Sequence, residues 1–537
     1  MESVVNDYIS REIVQDRALL PLSNETSLME AGILDSLGLL RLVVFLDEQF
    51  KITVDEVDVV PENFDSVNAI CAYLRAREPG RQGERVGTAG GDGKSPAAYR
   101  NAAGHSRRLQ AQDPCLLQRS DHAGAASLRR PVVRRSHRPA ADDRGQSRSA
   151  GGQGDRMEFS LSAEQRELKE AAIEFARREL DRDLAKRDEE GEFPLEAWRA
   201  CAKFGIQGLP VPAELGGGGA DILTTVLVME ALGYGCHDNG LIFSLNAQMW
   251  SLELPLVKFG TPAQQQPYLP GLMSGDLIGV HAMTEPDSGS DAFAMRTRAE
   301  RQGDDYVLNG TKLYITNAPV SDVVLVFAAD PGKPKMAGIS AFLVDKGTPG
   351  FTVPRKMDKM GLRTSPMGEV VLDGCRVPAA SRLGPEGAGM AIFNSSMTWE
   401  RSCILASAVG VMQRQLEACA DYARARKQFG QAIGKFQSVA NTVADMYLRT
   451  EAARLLVYQA ARLGQQGKSA LAEAAGAKLF TSEAWVQSSL DAIQVHGAYG
   501  YMKEAGIERD LRDAVAGTIY SGTSEIQRVI LARMLGL

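Results

Sequence analysis

The sequence of 537 residues has few cysteines for its length, no long apolar run and only 6% aromatic residues. Its seven cysteines, at 71, 115, 201, 236, 375, 403 and 419, form no C-x-x-C pair and none pairs with histidine at ligand spacing. That pattern excludes a disulfide framework and a structural zinc site, and it fits a reducing, cytoplasmic setting. The longest apolar stretches, such as 37–46 and 404–412, fall well short of the ~18 to 20 residues that span a bilayer. The opening MESVVNDYISREIVQD is acidic and has no secretory-leader pattern. Neither a membrane-spanning nor a secreted protein is expected, and the length suits several domains.

What is present is a segregation of charge along the chain. Residues 1–80 carry a net charge of -9, residues 81–156 of +8 and the remainder of -6. The basic stretch is built from Arg, Gly, Ala, Ser, Gln and Asp with no sustained period of 2 or 3.6, so a disordered connector is expected over 80–156. As coil it would reach on the order of 50 Å root-mean-square. Its LRRPVVRRSHRP tract lacks aromatic interleaving and helical register, so no nucleic-acid binding is expected.

In the acidic first unit, 2–16 and 66–77 read as amphipathic helices, and an apolar helix is predicted over 37–50. Asp35, Ser36 and Leu37 lie where a loop gives way to that helix. A serine there can simply cap the helix by accepting orphan N–H groups. The run GILDSLG, the apolar helix after it and the acidic cluster Asp47, Glu48, Asp55, Glu56 and Asp58 together resemble an acyl or peptidyl carrier protein over 1–79. The resemblance implies a four-helix domain whose Ser36 carries a 4′-phosphopantetheine arm. A phosphodiester at a helix start suits the local N–H groups and macrodipole.

From 159 to about 278 the pattern is helical, opened by LSAEQRELKEAAIEFARREL. Gly216–Gly219 interrupt it as a turn, because no strand precedes them and the spacing is not G-x-G-x-x-G. From His281 to about Leu383 the alternating and β-branched runs VVLVFAA and AGISAFLV are bounded by NG, PG, KG and DG turns. After Gly387 the sequence is helical again. Expected domains are therefore 157–280, 281–385 and 386–537.

Five motifs follow in order: MTEPDSGSD (283–291), NGTKLYITNA (309–318), ARARKQFGQAIGKFQ (423–437), QVHGAYGY (494–501) and TIYSGTSEIQR (518–528), the last preceded by Arg512-Asp513. In this order they resemble the acyl-CoA dehydrogenase family over 159–537. The resemblance implies an α-helical domain, a β-barrel-like middle domain and a C-terminal four-helix bundle, with FAD between them. A flavin edge needs hydrogen-bond donors and a pyrophosphate needs donors or cations. By resemblance Met283, Thr284, Ile315 and Thr316 meet the flavin ring, and Gly289 and Ser290 the ribityl or pyrophosphate region. Tyr314 stands where the family usually has tryptophan. Arg426, Phe429, Gln437, Gln494 and Gly497 fall to the pyrophosphate and adenosine, while Gly522, Thr523 and Glu525 close over the cofactor. Part of that site belongs to a neighbouring subunit in the family, which implies a homo-oligomer, tetramer or dimer. Taken singly, each of these residues also reads as a turn, cap or core contact.

Desaturating a thioester requires a base for the α-proton. Most family members carry a glutamate immediately before the Gly-Thr pair, where this chain has Ser521, which cannot act as that base. The isovaleryl-type pattern places the glutamate before an arginine on another helix, and SSMTWERSCILA supplies Glu400 and Arg401 there. Glu400 is the candidate base; pairing with Arg401 or capping a turn is its plainer role. The combination of this segment with GYGCHDNGL and NAPVSD also resembles the branch that oxidises carrier-bound acyl or aminoacyl groups, such as prolyl-carrier dehydrogenases. The resemblance implies an acyl or aminoacyl thioester substrate in specialised biosynthesis, a phosphopantetheinyl transferase and an acyl-loading enzyme as partners, and electron-transfer flavoprotein as one route for reoxidation. An ordinary acyl-CoA dehydrogenase with a passenger carrier, and a non-catalytic carrier scaffold, are the competing readings.

Overall fold

The computed structural model describes residues 1–77 and 161–537, apart from positions 15, 35, 53, 334–336 and 467–469. The connector expected over 80–156 and Asp35 lie outside the described residues, as do the side chains of Ser36 and Glu56.

The first unit is helical. α1 (Glu2–Tyr8) runs on into a π turn at Ile9–Ile13, followed by α2 (Ser36–Phe50), the short α3 (Pro61–Phe64) and α4 (Val67–Arg77). α2 turns Leu39, Leu42 and Leu46 inward at helical spacing, onto Val5, Ile9, Leu28, Phe64, Ile70 and Leu74. Tyr8 stacks on Phe45 with ring centroids 3.7 Å apart. Asp65 ties the long loop to this core by accepting from Ser27 Oγ at 2.9 Å and Met29 N at 3.0 Å.

The next domain begins with α5 (Ala163–Glu179). Its start is fixed reciprocally: Ser162 Oγ accepts from Gln165 N and Gln165 Oε1 accepts from Ser162 N. α6 (Leu184–Glu190) and α7 (Leu195–Phe204) follow, then the turn at Gly216–Gly219. α8 (Ile222–Gly235) is apolar nearly all round because it is buried between other helices. α9 (Asn239–Gln248) passes through a π turn at Met249–Glu253 into α10 (Leu254–Phe259), and α11 (Pro262–Ser274) closes the domain.

The β region expected from the sequence is one eight-stranded sheet. β1 (Gly279–Ala282), β2 (Arg298–Gln302), β3 (Asp305–Thr316), β4 (Val323–Ala329), β5 (Ile339–Asp345), β6 (Phe351–Met357), β7 (Met367–Pro378) and β8 (Arg382–Leu383) pair in the order β6-β7-β3-β2-β4-β5-β8. β1 pairs in parallel with β4, whose run VVLVFA is wholly buried, as a central strand requires.

The C-terminal helices are α12 (Gly389–Cys403), α13 (Ala406–Ala425), α14 (Gln437–Gln465), α15 (Leu471–His496), α16 (Ala498–Tyr501), α17 (Ile507–Gly517) and α18 (Ser524–Met534). A hairpin of β9 (Lys427–Gln428) and β10 (Gln431–Ala432) separates α13 from α14. α13 crosses α8 at backbone contact: a Cβ on Gly233 would lie 1.9 Å from Ser407 O, and one on Gly410 2.0 Å from Glu230 O. Only glycine allows that approach. Glu230 then joins three helices by accepting from Lys169 Nζ on α5 at 3.0 Å and Arg454 Nε on α14 at 3.1 Å. Asp513 on α17 accepts from Asn239 Nδ2 at 2.9 Å and from Leu362 N, tying the bundle to α9 and to the β6–β7 loop. Among the described residues no helix is long and apolar enough to cross a membrane.

Candidate active site

Glu400 lies on the last full turn of α12 and is buried, 6% exposed. Two hydroxyls hold its carboxylate: Ser251 Oγ donates to Oε1 and Ser521 Oγ donates to Oε2. Burial raises the Glu400 pKa above the ordinary carboxylate value; the two serine donors and the Arg401 charge pull it partway back. Arg401 is itself lowered to about 10 by burial, offset by Glu400. Among the described residues its Nε has no hydrogen-bond partner.

Each serine is delivered by an unusual backbone feature. Ser251 sits inside the π turn between α9 and α10, a local widening of the helix that often marks functional sites. Ser521 has a φ of +53° in the turn before α18, where residues with a side chain are uncommon. That turn is pinned: Gln527 Nε2 donates to Ser521 O at 3.1 Å and to Gly522 O at 2.9 Å, and Lys478 Nζ donates to Gly522 O at 2.7 Å. Thr523 Oγ1 caps α18 by accepting from Ile526 N. Trp250, beside Ser251, stacks on Trp399, beside Glu400, with centroids 5.7 Å apart and planes within 5°. Glu400 and its donor Ser251 are thus fixed from both helices.

Glu400 opens into a cavity of about 1330 Å³ that also reaches Met283, Thr284, Gly289, Ser290, Tyr314, Ile315, Thr316, Gly522 and Thr523. Met283 and Thr284 follow β1, and Lys312 Nζ on β3 anchors this corner through Met283 O at 3.1 Å and Glu285 Oε1 at 2.9 Å. A register shift in β3 between Lys312 and Ile315 gives Tyr314 a φ of +60° and leaves it 58% exposed. Among the described residues, the hydroxyls of Thr284, Ser290 and Thr316 make no hydrogen bond within the chain, so they face the cavity as available donors. Such a set of hydroxyls beside backbone amides suits a flavin edge.

The remaining residues singled out from the sequence lie elsewhere. Arg426, Phe429 and Gln437 are exposed at and beside the β9–β10 hairpin, with Phe429 93% exposed. Gln494 and Gly497 are exposed at the end of α15. Tyr422 near the end of α13 packs on His496 with centroids 4.4 Å apart, so the hairpin and the α15 end share one end of the bundle. None of these five lines the cavity, and neither does Glu525. Glu525 has its carboxyl lowered by its own backbone amide and the Thr523 hydroxyl. Ser251 and Lys478 were not legible beforehand, because a π turn and a lysine reaching a distant carbonyl leave no periodic signal.

Comparison with known proteins agrees with this architecture. Three acyl-CoA dehydrogenase family models match consecutively: the N-terminal domain over 162–276, the middle domain over 281–375 and the C-terminal domain over 387–536. The chain belongs to the acyl-CoA dehydrogenase family. A fourth model, the phosphopantetheine attachment site, matches 11–74 ahead of the dehydrogenase domains. The chain is similar to an L-prolyl-(peptidyl-carrier protein) dehydrogenase of Serratia sp., 43% identical over 381 residues, covering 71% of this chain and 99% of that one. It is 38% identical over 377 residues to mitochondrial isovaleryl-CoA dehydrogenase of Pongo abelii, covering 70% of this chain and 89% of that one. Among solved structures, the prolyl acyl carrier protein oxidase AnaB has 49% identity and a TM-score of 0.69, covering 70% of this chain and all of that one. The structure described as PigA with FAD and proline has 43% identity and a TM-score of 0.70, covering 71% of this chain and all of that one.

Proposed function

We propose that this dehydrogenase desaturates an acyl or aminoacyl thioester held on the phosphopantetheine arm of its own carrier unit, with a prolyl group as the first candidate. The observation that carries the reading is the paired burial of Glu400 between Ser251 and Ser521 at the floor of the large cavity. The phosphopantetheine-attachment match over 11–74 and the carrier-bound substrates named for two relatives support it. Residues 1–79 act as the carrier, 80–156 as its connector and 157–537 as the enzyme.

FAD, when bound, supplies the acceptor for the hydride that leaves Cβ of the acyl group. Thr284, Thr316 and Ser290 are the hydroxyls that would hold it from the cavity wall. Arg426, Phe429, Gln437, Gln494 and Gly497, exposed at the end of the bundle, act on the cofactor of a neighbouring subunit in a homo-oligomer. Glu400 takes the α-proton onto its carboxylate. Its raised pKa makes it a stronger base than a solvated glutamate, and the serine donors orient it. A phosphopantetheinyl transferase and an acyl-loading enzyme charge Ser36, and electron-transfer flavoprotein is one candidate for reoxidation.

The test is to load the chain at Ser36 with a prolyl group and follow its mass and the flavin absorbance together. Loss of two or four hydrogens with flavin bleaching supports the reading. An unchanged group on Ser36 beside an oxidised CoA thioester returns the protein to ordinary acyl-CoA dehydrogenation.

A further inference from the structure

Two helices line the cavity along their length and lead from Glu400 to the carrier unit. On α12 the lining residues run from Phe393 to Arg401; on α18 they are Ile526, Val529, Ile530 and Arg533, one face at helical spacing. At the end away from Glu400, α12 meets the carrier. Val60 is buried with Phe259, Ala388 and Met390, and a Cβ on Gly387 would lie 3.4 Å from Pro61 Cγ. Asp55 Oδ1 stands 3.8 Å from Lys258 Nζ at the same seam. That exposed pair adds little strength, so the apolar contact carries the docking. From Gly389 to Glu400 the helix rises roughly 16 Å.

Arg533, at the far end of α18, walls a second cleft as well. That cleft is formed with Arg41 and Gly38 of the carrier and with Leu537. Gly38 is two residues beyond Ser36, the first residue of α2. One arginine therefore borders both the start of the arm-bearing helix and the passage to Glu400.

We infer that the carrier is seated in its delivery pose, and that Arg533 is a positioning residue which receives the phosphodiester of the Ser36 arm at the cavity mouth. The inference rests on the carrier-directed reading proposed above. A guanidinium suits a phosphodiester by charge and by its paired N–H groups. With the phosphate held there, the pantetheine threads between α12 and α18 and sets the thioester beside Glu400. The docked carrier keeps the arm from searching solvent.

The experiment compares one acyl group as its 4′-phosphopantetheine thioester and as its pantetheine thioester, which differ only in the phosphate, using the full chain with Ser36 unmodified. The ratio of kcat/KM for the two falls about tenfold in Arg533→Gln, the size of one charge-assisted contact, and Arg533→Lys recovers part of it. A mere packing role for Arg533 lowers both substrates together and leaves the ratio unchanged, which overturns the inference. In a second arm, Val60→Asp slows single-turnover desaturation of the Ser36-bound group relative to the pantetheine thioester. Loading of Ser36 by the transferase, read by intact mass, certifies that the carrier in this variant is folded. An unchanged relative rate in folded Val60→Asp overturns the docked pose. If the wild type oxidises the Ser36-bound group while both variants behave like it, only this inference fails. If the wild type leaves that group untouched, the carrier-directed reading fails and takes this inference with it.

Discussion

Ser521 Oγ donates its hydrogen bond to Glu400 Oε2 from the turn that precedes α18. The motif resemblance implies a carboxylate at this position in most of the family; here a serine supports a carboxylate arriving from another helix.

Glu400→Gln keeps the shape of the side chain and removes its capacity to take a proton. Desaturation by this variant falls by at least ~10², the usual size of a general-base contribution, while flavin stays bound. Stopped-flow flavin bleaching with a loaded carrier measures it, and full activity would sink the assignment.

The pH dependence follows from the donors. The base must be ionised to act, so activity rises as pH passes its raised pKa. Ser251 and Ser521 each lower that pKa, so Ser251→Ala or Ser521→Ala moves the acid limb of the kcat profile to higher pH. Ser521→Ala retains most of its activity on the alkaline side. A profile that does not move in either variant contradicts the hydrogen bonds assigned to Glu400.

The same shift bears on stability. Glu400 has its folded pKa raised above the unfolded value, so it contributes stability below the unfolded pKa that is lost as pH rises through the folded pKa. Glu400→Gln, permanently neutral, therefore melts close to wild type in acid and increasingly above it as pH rises. Thermal melts of the flavin-free protein across pH read the difference, and a gap that does not grow with pH argues against an ionised Glu400 in the fold.

The order of helical, β and helical regions was legible because each motif is contiguous and each period is local. Leu39, Leu42 and Leu46 of α2 and the buried run of β4 follow directly from their spacing. Glu400 was legible because it lies next to Arg401 in a continuous segment. Ser251 was not: it reaches Glu400 across 149 positions, through a π turn whose altered hydrogen bonding no side-chain pattern records. The motif set around Arg426 and Gln494 reads along the sequence as one site with Thr284, yet within a single chain those residues stand exposed at the end of the bundle. Sequence order carries no information about which subunit a surface serves.

That separation gives a further prediction. Arg426→Glu reverses a charge on the exposed bundle end without touching the cavity of its own chain. If this surface completes a neighbour's cofactor site, the variant loses flavin while keeping its fold. Absorbance at the flavin band, circular dichroism and light scattering on one preparation test it. Full flavin content in an undisturbed oligomer rules the surface out as a cofactor contact.

The most direct measurement is intact-mass spectrometry of the chain after Ser36 has been charged, compared with Ser36→Ala and Glu400→Gln. The account predicts that Ser36→Ala takes up no arm, that the wild type converts its loaded group to a species two or four hydrogens lighter, and that Glu400→Gln holds the group at its starting mass. A wild-type group that stays at full mass on Ser36, while the same group is oxidised as a CoA thioester, would contradict the account.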